Sequence, residues 1–168
     1  MTDILEWLLN GPAWVQYRAL VDVAHEPESA SRVRAARAAM LESSQVAGLI
    51  AELQTWPGVV LNSHKSAGQL YHKLKFLGDL GVCAGDPGMG HVVELVMAHQ
   101  SAEGPFTLPL QVSAAHGGSG EKTWAWALCD APVTTGVLCR LGLAEDPRVQ
   151  RSVDHIASLA RDNGWPCA

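Results

Sequence analysis

The stretch Leu141-Gly142-Leu143-Ala144-Glu145-Asp146-Pro147 has two earlier counterparts in this chain. Apolar residues followed by an acid and a proline also occur before Asp86-Pro87 and before Glu26-Pro27, so the three acid-proline pairs are evenly spaced along the sequence. Self-similarity at a fixed and long spacing is typical of one supersecondary unit that is stacked several times to build a continuous core. The chain is therefore predicted to be a repeat protein.

Helical spacing of apolar residues surrounds each acid-proline pair. Before the second pair, leucines recur at intervals of three or four residues between Ser66 and Val82, and Gly81 is a natural C-terminal stop. The acid of each pair is predicted to cap the next helix, with the proline in its first turn. Nothing predicts a strand convincingly; residues 107–112 could be extended, but Pro109 weakens that interpretation.

These elements predict an all-α fold of helical hairpins. Each unit consists of an apolar helix, a tight turn, an amphipathic second helix and a long connection rich in Gly and Trp. The units cover approximately residues 1–60, 61–122 and 123–168 of one helical-repeat domain, 1–168. Hairpins of this kind pack side by side into a layered array.

Composition excludes several classes of partner. The chain is 48% apolar and 17% charged, which is a globular composition, and its formal charge of -5 comes without any cluster of Lys and Arg. Nucleic acid and anionic membrane surfaces need concentrated positive charge, so we expect neither as a partner. No apolar run approaches the roughly 18 residues of a spanning helix, and the first residues carry acids where a signal peptide is basic. A soluble, cytoplasmic protein is expected.

With the helices placed, two phrases resemble the hairpin repeats of the prenyltransferase and squalene-cyclase superfamily. They are Leu-Gly-Leu-x-x-Asp-Pro-Arg-Val-x-Arg-x-Val-Asp, residues 141–154, and Asp-Asn-Gly-Trp-Pro-Cys, residues 162–167. The resemblance, which is to bacterial members of that class, implies an α/α toroid whose inner helices line a cavity. About three hairpins are half of such a ring. The chain is thus expected to be an N-terminal half or fragment, or to be completed by a second chain. The acid motifs of the cyclases and prenyl transferases are absent from the sequence.

The resemblance also implies a candidate zinc site, because protein prenyltransferases of this superfamily hold zinc with an Asp, a Cys and a His. Thiolate, imidazole and carboxylate are zinc ligands, and the candidate set here is His116, Cys129, Asp130 and Cys167. If the ends of the inner helices meet at one rim of the ring, these four can converge. The alternative is that Cys129 packs in the core and Asp130 caps a helix running from Pro132.

Aromatic residues and one histidine supply the remaining candidates. Trp124, Trp126 and Trp165 lie on the same connections and suit an apolar or cationic small molecule. If the segment is helical, Trp124 and Trp126 point in nearly opposite directions, so at most one faces a cavity. His72 lies beside Leu70 and Leu74 in a predicted inner helix, where it is a candidate for acid-base catalysis. Asp130 is a second candidate for the same role.

Two functions stay open at this point. The first is a helical-repeat protein that binds a metal, zinc if any, or an apolar small molecule at the rim formed by its loops. The second is a non-catalytic repeat module for protein-protein interaction or assembly. The sequence leaves open whether the protein is an enzyme.

Overall fold

The structure is a computed structural model that describes residues 4–62, 67–116 and 118–165. Within these residues it contains eight α-helices and one two-stranded sheet. The helices are Ile4–Leu9 (α1), Ala13–Arg18 (α2), Ser31–Glu42 (α3), Ser44–Leu53 (α4), Leu70–Leu80 (α5), Met89–Met97 (α6), Ala131–Leu138 (α7) and Pro147–Ser158 (α8). The chain is thus mostly helical, as predicted. None of the described helices is long and apolar enough to cross a bilayer.

The chain divides into two compact units, Met1–Leu49 and Ile50–Ala168. In the first unit, α2 continues into the π-helical turn Ala19–Val23 and packs along α3. Their shared core contains Tyr17, Leu20, Val33 and Met40, each at most 2% exposed. This hairpin lies within the first stretch for which the sequence predicts one.

The first acid-proline pair lies in the turn of this hairpin. His25 adopts a left-handed conformation, with φ of 53°, and Glu26 forms an exposed ion pair with Arg32 at 3.2 Å. The helix α3 begins only at Ser31 and has Ala30 at its N-cap position. The prediction that Glu26 caps this helix is therefore wrong, because further turn residues separate the pair from the first helical turn.

The second unit is organised by two helices that run side by side in the same direction. Tyr71, in the first turn of α5, lies near Asp130, and further along α5 Gly78 contacts Val137 of α7. A Cβ atom at Gly78 would stand 2.6 Å from a Val137 methyl group, so only glycine permits this approach. On its other side α7 packs on α8 through a hydrogen bond of 2.7 Å between the Thr135 and Ser152 hydroxyls.

The helix α5 ends on the left-handed Gly81, and α7 continues into the π-helical turn Cys139–Leu143, which is interrupted by the left-handed Gly142. Gly81 has φ of 90° and Gly142 has φ of 91°, and each glycine lies a few residues before an acid-proline pair. A side chain at either position would be strained, so the glycines stop the helices at equivalent places. The turns touch, since the Ala84 N–H donates to the Leu141 carbonyl at 2.9 Å.

The acids after these glycines have different roles. Asp146 caps α8, because its Oδ1 accepts from the backbone N–H of Arg148 at 2.8 Å, and Pro147 is the first helical residue. Asp86 instead accepts from the backbone N–H of Cys83 at 2.7 Å, while α6 begins at Met89 after a left-handed Gly88. Asp86 therefore stabilises the turn, and the prediction that it caps the next helix is wrong.

A small sheet joins the connections of the second unit. Strand β1, Leu108–Leu110, pairs antiparallel with strand β2, Thr123–Ala125. Pro109 is tolerated inside β1 because its carbonyl accepts from the Leu61 N–H at 2.7 Å and no donor is needed there. The extended segment that the proline made doubtful is thus a short strand.

Candidate functional site

The sheet determines how two of the three candidate tryptophans are presented. Trp124 lies in β2 opposite Pro109, and Trp126 follows directly after the strand. Alternate residues of an extended chain point to the same side, whereas on a helix they diverge by about 200°. The expectation that at most one of these two tryptophans faces a cavity assumed that the segment is helical. That assumption is wrong, because Trp124 lies in a strand.

Trp124 stacks flat on a histidine. Its ring and the imidazole of His99 are 3.7 Å apart at an interplanar angle of 8°. The loop that carries His99 is closed by Thr107, whose backbone N–H and hydroxyl both donate to the His99 carbonyl, at 2.7 and 2.8 Å. The indole is still 41% exposed, so part of its surface is open to solvent.

Trp126 meets a second histidine and a carboxylate. Its ring stands edge-on to the His155 imidazole of α8, with centroids 5.2 Å apart and an angle of 85°. The Glu103 carboxylate lies close to the Trp126 side chain. The pKa of Glu103 is held below its ordinary value first by a hydrogen bond from its own backbone N–H, and then by the Ser101 and Trp126 side chains. This exposed acid is therefore an anion at neutral pH.

Trp165 lies against the same stretch of α8. Its indole Nε1 donates to the Ile156 carbonyl at 2.8 Å, next to the histidine that Trp126 contacts. The ring is 57% exposed. The structure thus brings Trp126 and Trp165 to neighbouring residues of one helix, with Trp124 shortly before Trp126 in the chain. We call these three tryptophans with His99, Glu103 and His155 the aromatic rim.

The loop that presents Glu103 is anchored to α8. The Gln100 side chain donates to the Arg148 carbonyl at 2.6 Å and accepts from the Arg151 guanidinium at 2.7 Å. Gly104, at φ of 131°, lies so close to the Arg151 backbone that a Cβ atom there would stand 2.6 Å from its carbonyl oxygen. The carboxylate therefore projects from a loop with a fixed position on the helix.

A second group of polar residues lies between α5 and α7. Asp130 is fully buried at the N-cap position of α7, and its Oδ1 accepts from the Ala127 N–H at 3.2 Å. Burial raises the pKa of Asp130 to about 6, although the Ala127 hydrogen bond works in the opposite direction. Burial, and then the negative charges of Asp130 and Cys129, raise the pKa of Tyr71 to about 12. We call Tyr71, Asp130 and the nearby Thr134 the polar seam.

The polar seam continues one helical turn into the core. Thr134 lies one turn after Asp130 on the same face of α7 and is 1% exposed. Its hydroxyl has no hydrogen-bond partner among the residues that the structure describes. His72, the predicted catalytic candidate, is half-buried beside Tyr71, with ring centroids 3.9 Å apart. It lies next to the seam, on the following residue of α5.

The predicted zinc ligands fall partly outside the description. The side chain of His116 and all of Cys167 lie outside the described residues, whereas Cys129 is exposed and Asp130 is buried. In the described part of the chain, no three His, Cys, Asp or Glu side chains are grouped so that they could hold a metal ion. The described pair offers two neighbouring ligands that face different surroundings. The four-ligand set therefore stays a prediction.

Comparison with known proteins assigns no family or function to the chain. No family model, curated protein or solved structure matches the chain. The sequence interpretation missed five members of the two groups: His99, Glu103, His155, Tyr71 and Thr134. Their signal was weak, since they are spread over one connection and three helices, and only the tertiary packing brings them beside the candidate residues.

Proposed function

We propose that this protein is a helical-hairpin repeat protein related to the prenyltransferase and squalene-cyclase superfamily, and that its aromatic rim binds a small organic cation with apolar substituents. The repeat part is supported by two parallel helices that are followed by equivalent left-handed glycines, Gly81 and Gly142. In this proposal the hairpins form part of an α/α toroid, and the rim lies on the connections between them.

The observation that carries the binding proposal is the position of Glu103 beside Trp126. An ionised carboxylate and the faces of indole rings attract the same kind of ligand, because the ring quadrupole is negative above its plane. Trp124 and Trp165 add two partly exposed rings to that carboxylate. A quaternary or alkyl ammonium group satisfies both the charge and the apolar surface.

The same groups disfavour an anion. A phosphate or carboxylate ligand would approach Glu103 in a chain whose formal charge is already -5. Such an approach is repulsive, and the repulsion is screened only beyond a Debye length of about 8 Å at physiological salt. The ligand class is therefore cationic rather than a diphosphate.

A matched pair of probes tests the proposal. The choline cation and 3,3-dimethylbutan-1-ol have the same shape, but carbon replaces the charged nitrogen in the alcohol. We expect choline to quench tryptophan fluorescence saturably and the alcohol to do so at least tenfold more weakly, which corresponds to about 1.4 kcal/mol. Equal binding of both probes, or of neither, contradicts the proposal.

Variants locate the site. Glu103→Gln keeps the shape of the exposed side chain and removes its charge, so it should weaken choline binding without changing the binding of the alcohol. Asp154→Asn removes the same charge from an exposed position of α8 and serves as the control. If both variants weaken choline binding equally, net charge rather than the rim is responsible.

The alternative is a non-catalytic module for protein-protein interaction or assembly. It is favoured if neither probe binds and the exposed tryptophans become shielded from solvent only in a protein complex.

The zinc prediction is separate from both of these functions. Metal analysis of protein purified without chelator, compared with Cys129→Ser, tests whether one zinc per chain is lost with the thiol.

A further inference from the structure

Two histidines lie directly on tryptophans of the aromatic rim. The His99 imidazole stacks on Trp124 with ring centroids 3.7 Å apart, and the His155 imidazole stands edge-on to Trp126 with centroids 5.2 Å apart. Both histidines are half-buried, so their rings can exchange protons with solvent. Histidine is the side-chain type that ordinarily changes its charge between about pH 5 and pH 8. The rim therefore contains two side chains of the type that responds to physiological changes of pH.

A proton on His99 would place a cation on the ring of Trp124. A cation within about 6 Å of an indole centroid is attracted by the ring quadrupole, and the stacked imidazole lies well inside that distance. A ligand cation on the exposed part of the same indole would then be repelled by a positive charge already in place. The helix before His99 carries Glu94, which is bonded to Arg148, and Lys122 directly precedes β2.

A proton on His155 would act on the carboxylate of the rim. The pKa of Glu103 is lowered first by its own backbone N–H, and the charge of His155 is a smaller cause that acts in the same direction. The two side chains are therefore close enough to interact. An imidazolium here would offset the negative charge that attracts the ligand. The other charged side chains near His155 in sequence are two guanidiniums and two carboxylates, which balance: Arg151, Asp154, Arg161 and Asp162.

We propose that protonation of His99 and His155 closes the aromatic rim to its cationic ligand. This inference rests on the proposed function, because it concerns the regulation of the same site. With neutral imidazoles, the rim presents one carboxylate and three indoles to a cation. With two imidazoliums, it already holds two cations of its own. The rim thus binds its ligand at neutral pH and releases it under mildly acidic conditions.

Choline titrations at about pH 7.5 and about pH 5.5 test the pH dependence. We expect the Kd of choline to be at least about tenfold higher at the lower pH, because both imidazoliums repel the ligand and one of them also offsets Glu103. The uncharged 3,3-dimethylbutan-1-ol should bind equally at both pH values, which shows that the rim stays folded. Equal binding of choline at both pH values overturns this inference alone, whereas no choline binding at either pH overturns the proposed function as well.

The double variant with His99→Phe and His155→Phe assigns the effect to the two rings. Phenylalanine keeps an aromatic ring against each tryptophan but takes up no proton, so the Kd of choline should be the same at both pH values. His91→Phe makes the same change at an exposed position of α6 and should retain the full pH dependence. Burial raises the pKa of Asp130 to about 6, so this acid also titrates in the range. A pH dependence that persists in the double variant belongs to Asp130 or another group, and it overturns the proposal.

Calorimetry of the unsubstituted protein gives a second measurement that does not depend on the folding of the variant. If the ligand and the protons exclude each other, choline binding must release protons, because the coupling between two binding events is reciprocal. At about pH 6 we expect a release of about one proton per choline, read from the binding enthalpies in two buffers of different ionisation enthalpy. Binding of choline without proton release at this pH overturns the inference.

Discussion

Asp130 and Tyr71 lie near each other at the N-terminal ends of two parallel helices, where burial first, and then the negative charge of the acid, raise the free-energy cost of ionising the phenol. The carboxyl is fully buried and has a pKa of about 6, while the phenol is 2% exposed and has a pKa of about 12. Because α5 and α7 are neighbours in space but distant in sequence, only the tertiary structure creates this relationship. The burial of the acid has a measurable effect on stability.

The stability of the protein should fall between pH 4 and pH 7 through Asp130. Its pKa is raised from 3.8 to about 6 in the folded state, so the folded state binds this proton more tightly than the unfolded state. The favourable contribution is complete below about pH 4 and is lost as pH rises through 6. The loss is about 3 kcal/mol, since each pKa unit corresponds to about 1.4 kcal/mol.

Asp130→Asn should remove this pH dependence, because the amide keeps the shape and the acceptor for Ala127 without titrating. Denaturant unfolding at pH 4 and pH 7 measures the difference, and the exposed Asp154→Asn provides the control. Parallel stability curves for the protein and Asp130→Asn would show that the buried carboxyl does not carry the effect.

Two adjacent threonines of α7 should respond differently to the same substitution. Thr135→Val breaks the hydrogen bond to Ser152 and leaves a buried hydroxyl without its partner, which should cost about 1–3 kcal/mol. Thr134→Val removes a buried hydroxyl that has no partner among the described residues, so it should be neutral or stabilising. Thermal and denaturant unfolding of both variants makes the comparison, and equal losses would contradict the hydrogen-bond assignment.

Asp146→Ala should destabilise the second unit by about 1 kcal/mol, because it removes the side-chain cap of α8. The pKa of Asp146 is held below its ordinary value by the Arg148 side chain, so the stabilisation is present at neutral pH and is lost as pH falls. Asp154→Ala, at an exposed position of the same helix, should change stability by less than about 0.5 kcal/mol. A similar loss in both variants would mean that charge on α8, rather than the cap, matters.

Gly78→Ala should destabilise the α5–α7 contact. The added methyl group would stand 2.6 Å from Val137, and such overpacking costs about 1–3 kcal/mol. The paired change Gly78→Ala with Val137→Ala should recover part of the loss by making room. Denaturant unfolding of the single and double variants forms the test, and a double variant that is simply the sum of its parts would exclude this contact as the cause.

Helices and their endings could be read from local patterns. Gly81 and Gly142 stop their helices because only glycine adopts the left-handed turn without strain, and apolar spacing placed α5 and α8 near their observed positions. The caps were less predictable. Asp146 reaches the helix it precedes, whereas Asp86 and Glu26 stand too far from theirs and use their oxygens elsewhere.

The candidate site shows where local patterns stop. The sequence named Trp124, Trp126 and Trp165, but their relation to Glu103, His99 and His155 depends on a strand pairing with Leu108–Leu110 and on a loop anchored to α8. Residue types and helical periods are local properties, because they depend on neighbours a few positions away. Which side chains meet across long stretches of sequence depends on the packing free energy of whole elements. The helices and their glycine stops therefore follow from the chain itself, and the aromatic rim and the polar seam follow from the tertiary structure.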